Sequence, residues 1–459
     1  RRLAGFVWPD GLQELWPILP SFAVLSGALV LDATDAKMLS GAMRALEQAL
    51  GLSPSDLAYI TVAQTISMSL GSPLWGIVSD RCDRRKVLAV GCFCWGITTA
   101  VLGYTSSLQA LMLVRFFNGM ALASMNPIGQ SLLADLTVPE FRGTCFGIFH
   151  AIGSGGDMLA DIAVPGMSNT VLFGIEGWRV TCYVVAVASM LYAAVVLGVL
   201  HDPRARPRKM GDEQPSILQG LRTVLHCKTW LLICLQGIFG CMPYSTFGFL
   251  ILWLQYLGFP DVQAGLIVSM KSAGSLVGTL TAGFLGDYAA RRSPDHGRVF
   301  VAQAADILRV PLLLIIFLLL PRFGAGAVHY ACTIACLGFL MPFPSIACSR
   351  PVFAEVVGPE LRGSIIAYQA VLEKSVGAFG AMAAASLAQS MFHYKTTTQS
   401  VADMPDTVRE GNANALGKAI LFNSSVPWLI CAILYGLVYF SYKHDRDSLA
   451  SNKLSGMSA

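Results

Sequence analysis

Several ionisable side chains stand inside long apolar runs: Asp35, Arg115, Asp157, Lys271, Glu373 and Lys374. An unpaired charge in hydrocarbon costs at least about 2.5–3.5 kcal/mol, so each is a functional candidate. The chemistry open to them is charge pairing, proton transfer and capture of a charged ligand. Covalent chemistry has no foothold. No nucleophile elbow, phosphate loop, metal-ligand spacing or haem pattern occurs in the sequence. No cofactor and no metal is expected, and the chain does not read as an enzyme.

These charges need elements that hold them in lipid. The chain has 459 residues, of which 54% are hydrophobic and 13% charged, whereas soluble domains carry about a quarter charged residues. The solvent is therefore read as lipid. A spanning helix needs about 20 apolar residues. Twelve spans are predicted near 16–39, 56–79, 86–105, 109–137, 141–164, 178–200, 229–256, 262–287, 298–320, 326–356, 361–391 and 417–442. Ser53-Pro54-Ser55-Asp56 is a helix-start signal ahead of the second span. The polar stretch 201–228 divides the chain into a bundle at 1–200 and another at 229–459. Part of it, Ser216–His226, has the pattern of a short amphipathic surface helix. The loop at about 393–416 reads as polar and mobile.

Basic residues gather in alternate loops rather than in a stripe, which excludes nucleic-acid binding. By the positive-inside rule both termini and the 201–228 linker face the cytoplasm. Asn423-Ser424-Ser425 matches a glycosylation sequon but falls inside the twelfth span.

The densest charge lies between the second and third spans, in Gly76–Lys86. Gly76, Asp80, Arg84 and Arg85 have an echo in Gly283, Asp287, Arg291 and Arg292. A second pair of stretches matches as well. Asp135 with Pro139-Glu140-Phe141-Arg142-Gly143 corresponds to Glu355 with Pro359-Glu360-Leu361-Arg362-Gly363. Two motif pairs, each roughly 210–220 residues apart, indicate two six-helix halves related as parallel repeats. A channel would want like residues around a symmetric oligomer. A chain with its own internal repeat is expected to act as a monomer.

Gly76-x-x-x-Asp80-Arg81-x-x-Arg84-Arg85 resembles the signature of the major facilitator superfamily. Asp83 stands where that signature often has Gly. The resemblance implies an all-α membrane fold of twelve helices in two pseudo-symmetric halves. Asp32-Ala33-Thr34-Asp35, Glu47-Gln48, Arg115-x-x-x-Gly119, Gly153-Ser154-Gly155 and Gly177-Trp178-Arg179 are similar to the spinster branch. That branch exports lysophospholipids, sphingoid phosphates or related amphipathic anions. The resemblance makes this chain an alternating-access carrier of such an anion, with proton coupling as a further expectation. It implies that Asp80, Arg84 and Asp135 form a cytoplasmic gate, with Arg81, Arg85, Glu140, Arg142, Asp287, Arg291, Glu355 and Arg362. Asp80 would cap the eleventh helix near Leu361–Ser364. Leu122 stands where the branch carries an acid. Plasma membrane or endolysosomal or vacuolar membrane is the expected location. A small hydrophilic organic anion is the alternative cargo, and a channel the weaker alternative.

Depth arithmetic places the remaining candidates. At 1.5 Å per residue Asp35 and Arg115 both fall in the outer half, roughly 28 Å along the first span and roughly 9 Å along the fourth. They are expected to pair facing the cavity. Lys271, Glu373 and Lys374 fall near mid-membrane, with Glu373 as the expected partner of Lys271. Lys374 is then left over, giving a cation surplus suited to an anion. Asp157 could stand in for the acid missing at Leu122, while Asp161 is expected to be hydrated. Asp306 and Arg309 are three apart and should satisfy each other. Asn126 and Tyr244 are expected cargo contacts, and Gly274 and Gly278 close-packing positions.

Overall fold

The computed structural model describes residues 19–137, 142–172, 174–203, 227–321, 326–356, 362–401 and 403–457. The first half supplies α1 (Leu19–Leu50), α2 (Pro54–Arg81), α3 (Arg84–Tyr104), α4 (Leu108–Leu122), α5 (Met125–Leu136), α6 (Arg142–Ser168) and α7 (Gly177–Val199). A two-stranded hairpin, β1 (Val171–Leu172) against β2 (Ile175–Glu176), precedes α7. The second half supplies α8 (Lys228–Thr246), α9 (Leu250–Tyr256), α10 (Asp261–Arg292), α11 (Gly297–Leu314), α12 (Ala327–Leu340), α13 (Arg350–Val356), α14 (Arg362–Gly377), α15 (Phe379–Ser386) and α16 (Asp406–Met457). Successive rods run antiparallel. One end of the molecule therefore holds the start of α1 and the end of α16 (the terminal end), and the other holds the α1–α2 turn (the distal end).

Local chemistry sets the helix starts. Ser53 accepts from the Asp56 amide and Asp56 accepts from the Ser53 amide, a reciprocal capping box at α2. Asp83 caps α3 by accepting from the Arg85 amide at 3.0 Å. The fourth span is broken into α4 and α5 at Ala123–Ser124. Pro127, one turn on, has no amide hydrogen to return to the Ala123 carbonyl.

Among the described residues eight helical stretches are long and apolar enough to cross a membrane. The other four predicted spans are filled by α1, α2, α6 and α10, of 32, 28, 27 and 32 residues. Their polar content lowers their hydropathy: Asp32, Asp35 and Lys37 in α1, Asp157 and Asp161 in α6, and Lys271 in α10. The spans that look least like membrane helices thus carry Asp32, Asp35, Asp157 and Lys271 of the candidate residues. Glycine lets such helices pack closely. A Cβ on Gly278 would lie 2.0 Å from the Phe339 carbonyl oxygen, and one on Gly338 2.1 Å from that of Lys271. The predicted Gly274–Gly278 face therefore joins α10 to α12 backbone against backbone.

The apolar core is not shared evenly between the two ends. At the distal end one continuous cluster runs from Met38, Leu57 and Val164 of the first half to Phe249, Ile267 and Leu416 of the second. At the terminal end the first half has its own cluster around Leu88, Trp95 and Leu132. The second half has separate ones around Trp230 and Tyr435 and around Ala282 and Phe343. The halves are fused distally and parted terminally. The segments 204–226, including Ser216–His226, and Glu140, Pro359 and Leu361 lie outside the described residues. So do the side chains of Arg142, Arg362 and Ser364, and with them the expected helix cap for Asp80.

Candidate functional site

Between the halves lie two cavities. The larger, about 500 Å³, is lined by Thr61 and Thr65 of α2, Gln236 and Tyr244 of α8, and Glu373 and Lys374 of α14. The smaller, about 250 Å³, lies nearer the terminal end, with walls that include Met68, Pro73, Asn126 and Val371. Thr65 and Lys374 line both. The predicted contacts Tyr244, Asn126, Glu373 and Lys374 therefore converge on one region. Tyr244 is fixed there by donating to the Met341 carbonyl at 2.8 Å.

Glu373 lies against α8 at Gly237, where a Cβ would meet its Oε1 at 1.7 Å. It accepts from Gln369 of its own helix. It is not the partner of Lys271. Lys271 instead lies within electrostatic reach of Lys37, Asp161 and Asp157, with its ammonium 5.8 Å from the Phe247 ring centre. The reason is the α6–α10 contact: a Cβ on Gly265 would stand 2.0 Å from the Asp161 carbonyl, which brings Lys271 beside α6. Asp161 is buried rather than hydrated. It accepts both oxygens' worth of bonding from Lys37 at 3.2 Å. Two bases, Lys37 of α1 and Lys271 of α10, thus flank the two acids of α6, and Lys271 is no surplus cation. Asp157 belongs to this group.

What remains is Glu373 and Lys374 in the cavity walls, with Asp32 within electrostatic reach of Lys374 and Arg350 within reach of Glu373. Among the described residues Lys374 has no acid within ion-pairing distance. Asp32 lies within electrostatic reach of Lys374, and its Oδ1 is buried without a hydrogen-bond partner among the described residues. The expected cation surplus is corrected to a balance of two acids, Asp32 and Glu373, and two bases, Lys374 and Arg350.

Asp35 and Arg115 pair at 3.0 Å, as depth arithmetic expects. They do not face the cavity. Both are buried inside the first half, 0% and 1% exposed, in a net with Thr99, Asn118 and Gln64. The net ties α1, α2, α3 and α4 together. Leu122 is fully buried in the first half's terminal-end cluster. Asp306 and Arg309 satisfy each other at 2.5 Å, and Arg309 also donates to the Leu340 and Met341 carbonyls. Asn423 is buried and donates to Thr246 and the Gly380 carbonyl, so the sequon is internal to the fold.

At the terminal end Arg84 is fully buried and pairs with Asp135 at 2.7 Å and Asp202 at 2.5 Å. Its second-half counterpart is not Arg291. Arg298, four residues before Ala302 of the buried α11 face, pairs with Asp287 at 2.8 Å and approaches Glu355 at 3.9 Å. The motif's register against the helix ends explains the change. Arg84 and Arg85 open α3, whereas α10 continues through Arg291 and Arg292 and the next helix opens at Gly297. Arg81 ends α2 exposed, and Arg85 lies 3.6 Å from Asp83.

Sequence reading missed the most extensive polar cluster. At the distal end Arg44 and Glu47 of α1, 2% and 0% exposed, pair at 2.8 Å. Tyr256 donates to Glu47 at 2.7 Å and Tyr394 donates to it at 2.8 Å. Arg44 donates to the Tyr256 hydroxyl and to the Thr397 and Gln399 carbonyls. The segment expected to be mobile is therefore docked, and α16 begins at Asp406. His393, at φ 61°, turns the chain into that position. A resemblance carried by Glu47-Gln48 marked the stretch, but nothing in the spacing pointed to Tyr256 or Tyr394.

A family model described as Major Facilitator Superfamily matches residues 25–381. NiaP of Bacillus subtilis (strain 168), named for niacin/nicotinamide transport, is 27% identical over 324 residues, 66% of this chain and 77% of its own length. An MFS-type transporter of Mycobacterium tuberculosis is 24% identical over 314 residues, 65% of each chain. Among solved structures, a bacterial homolog of the human lysosomal transporter Spinster, crystallised inward-facing and unoccupied, superposes with a TM-score of 0.77. It shares 16% identity and covers 93% of this chain and 98% of its own, so the likeness is one of fold.

Proposed function

Since this chain belongs to the major facilitator superfamily, a family of membrane transporters, we propose that it is an alternating-access carrier of an amphipathic anion. A lysophospholipid or a sphingoid phosphate is the cargo class we favour. One observation carries the reading: Lys374 lines both a polar cavity and its smaller, more apolar neighbour. A head group could sit at Lys374 with a chain directed past Met68, Pro73 and Val371. The larger volume, about 500 Å³, suits such a ligand, since small-molecule sites run from about 300 to 1,000 Å³.

Two acids, Asp32 and Glu373, offset the two bases beside them, Lys374 and Arg350, which leaves no net charge for an anion unless a proton accompanies it. A proton on Asp32 or Glu373 would leave one base to balance the cargo, which is the basis for proposing proton coupling. The fused distal core and parted terminal cores correspond, in this reading, to a state open toward the termini. We place the termini, the linker 201–228 and the Arg84 and Arg298 clusters on the cytoplasmic side. The bundles 1–200 and 229–459 are then the rocking bodies of a monomer in the plasma membrane or an endolysosomal or vacuolar membrane. Arg84 with Asp135, together with Asp80, belongs to the cytoplasmic gate. A small hydrophilic anion is the second reading, favoured by the relative named for niacin and nicotinamide.

The deciding experiment is uptake of labelled lysophospholipids and of hydrophilic carboxylates into proteoliposomes, with and without a pH gradient. Lysolipid uptake that saturates and responds to the gradient is expected. Lys374→Gln should lower it at least tenfold while the protein stays monodisperse. Carboxylate uptake with no lysolipid uptake would transfer the assignment to the second reading. Undiminished lysolipid transport by Lys374→Gln would remove the role given to that residue.

A further inference from the structure

On the outer flank of the second half, away from both central cavities, α10 and α11 part near the terminal end. They leave an open groove of about 700 Å³. Leu285 and Tyr288 of α10 and Phe300 and Leu308 of α11 wall it, each 39–62% exposed. Apolar side chains exposed on the flank of a spanning bundle face the acyl region. At the mouth stand Arg292, the last residue of α10, and His296. The groove is therefore graded, apolar along its length and basic at the end where the helix leaves the bilayer.

The acids near that mouth are already engaged. Asp287 is held by Arg298 at 2.8 Å. Asp295 is held by Arg446 at 2.6 Å and Lys443 at 3.5 Å. Asp295 lies in the loop between α10 and α11, and its bond from Arg446, with Lys443 nearby, keeps its carboxyl below its ordinary range. Among the described residues Arg292 has no acid partner. Its guanidinium lies 5.7 Å from the Tyr288 ring centre and is otherwise open.

We propose that this groove binds one anionic diacyl phospholipid of the surrounding leaflet. The phosphate meets Arg292 and His296, and an acyl chain lies along Tyr288 and Phe300. The occupant follows from two arguments. A basic pocket at the bilayer edge between helices recognises anionic head groups. An acyl chain moving from bilayer to groove gains little, because both are apolar, so the head-group charge and not the tail decides which lipid is held. No residue of this groove lines either central cavity, so the lipid is a bound companion of the second half and not cargo.

The test uses the full chain released from nanodiscs of equimolar phosphatidylglycerol and phosphatidylcholine, with retained lipid counted by native mass spectrometry. Wild type should keep one phosphatidylglycerol that Arg292→Ala loses, at least a fivefold drop in the one-lipid peak, with Arg292→Lys intermediate. Arg292 is exposed at a helix end, so the variant should remain folded, as its monodispersity will report. A second measurement does not depend on that variant: Phe300→Trp should be quenched more by phosphatidylglycerol brominated in its acyl chains than by brominated phosphatidylcholine. Equal retention by Arg292→Ala, equal retention of phosphatidylcholine, equal quenching by both lipids, or a protein dimer occupying the groove would each overturn the proposal.

Discussion

Glu47→Ala is expected to release the distal closure of this protein. The carboxylate of Glu47 is fully buried and accepts from Arg44, Tyr256 and Tyr394, so its removal leaves a guanidinium and two hydroxyls without their acceptor. Removing one partner of a buried, hydrogen-bonded ion pair costs about 3–5 kcal/mol. The cost falls on the distally closed state, because opening that end lets Arg44 and both tyrosines find water. At about 1.4 kcal/mol per factor of ten, the balance between closed and open should move by roughly 10²–10³. Modification of an engineered Thr397→Cys by an impermeant thiol reagent, in a background without reactive native cysteines, reads the change. Labelling should become fast in Glu47→Ala and return toward the parent rate in Arg44→Ala/Glu47→Ala, which leaves no buried charge behind. Slow labelling in both variants, with no loss of melting temperature, would show that the cluster does not hold the halves together.

The second large effect is expected at Asp35. Asp35→Asn keeps the shape of the side chain and removes the charge that balances Arg115 at 3.0 Å, inside a net spanning α1 to α4. We expect a melting temperature lower by several degrees and transport reduced at least tenfold. Uncharging the partner separates the causes. Asp35→Asn/Arg115→Met removes the buried charge altogether and should regain stability, since apolar replacements of buried ion pairs are often neutral or stabilising. If transport returns with stability, the pair is a brace between helices. If stability returns and transport does not, the pair takes part in coupling. Full transport by Asp35→Asn alone would exclude both roles.

The fold was legible because its signals are local or repeated. Apolar runs mark the spans, Ser53 and Asp56 mark a helix start, and two motif pairs mark the internal repeat. The Asp35–Arg115 pair was legible because rise per residue converts position into depth. The same arithmetic misassigned Lys271, since equal depth says nothing about which helix lies beside which. The α6–α10 packing that brings Lys271 to Asp157 and Asp161 depends on Gly265, a residue with no chemistry of its own. The Arg44 cluster was out of reach for another reason: Tyr256 and Tyr394 are 209 and 347 residues from Glu47. Arg298 was hidden because motif spacing is counted along the chain, while its counterpart role depends on where α10 stops.

The pairing of charges within the bundle also has an electrical consequence. Each elementary charge carried through 100 mV exchanges about 2.3 kcal/mol with the membrane field. Asp35 with Arg115, Arg44 with Glu47, Asp306 with Arg309, and Lys37 and Lys271 with Asp157 and Asp161 are neutral sets. A rocking motion that carries each set as a body does no net work against the voltage. Among the described residues around the cavities, Asp32, Glu373, Lys374 and Arg350 stand outside these sets, and the field acts on them and on the ions that arrive there. The charge moved in one cycle then comes from these four side chains and the cargo, while the paired sets contribute none.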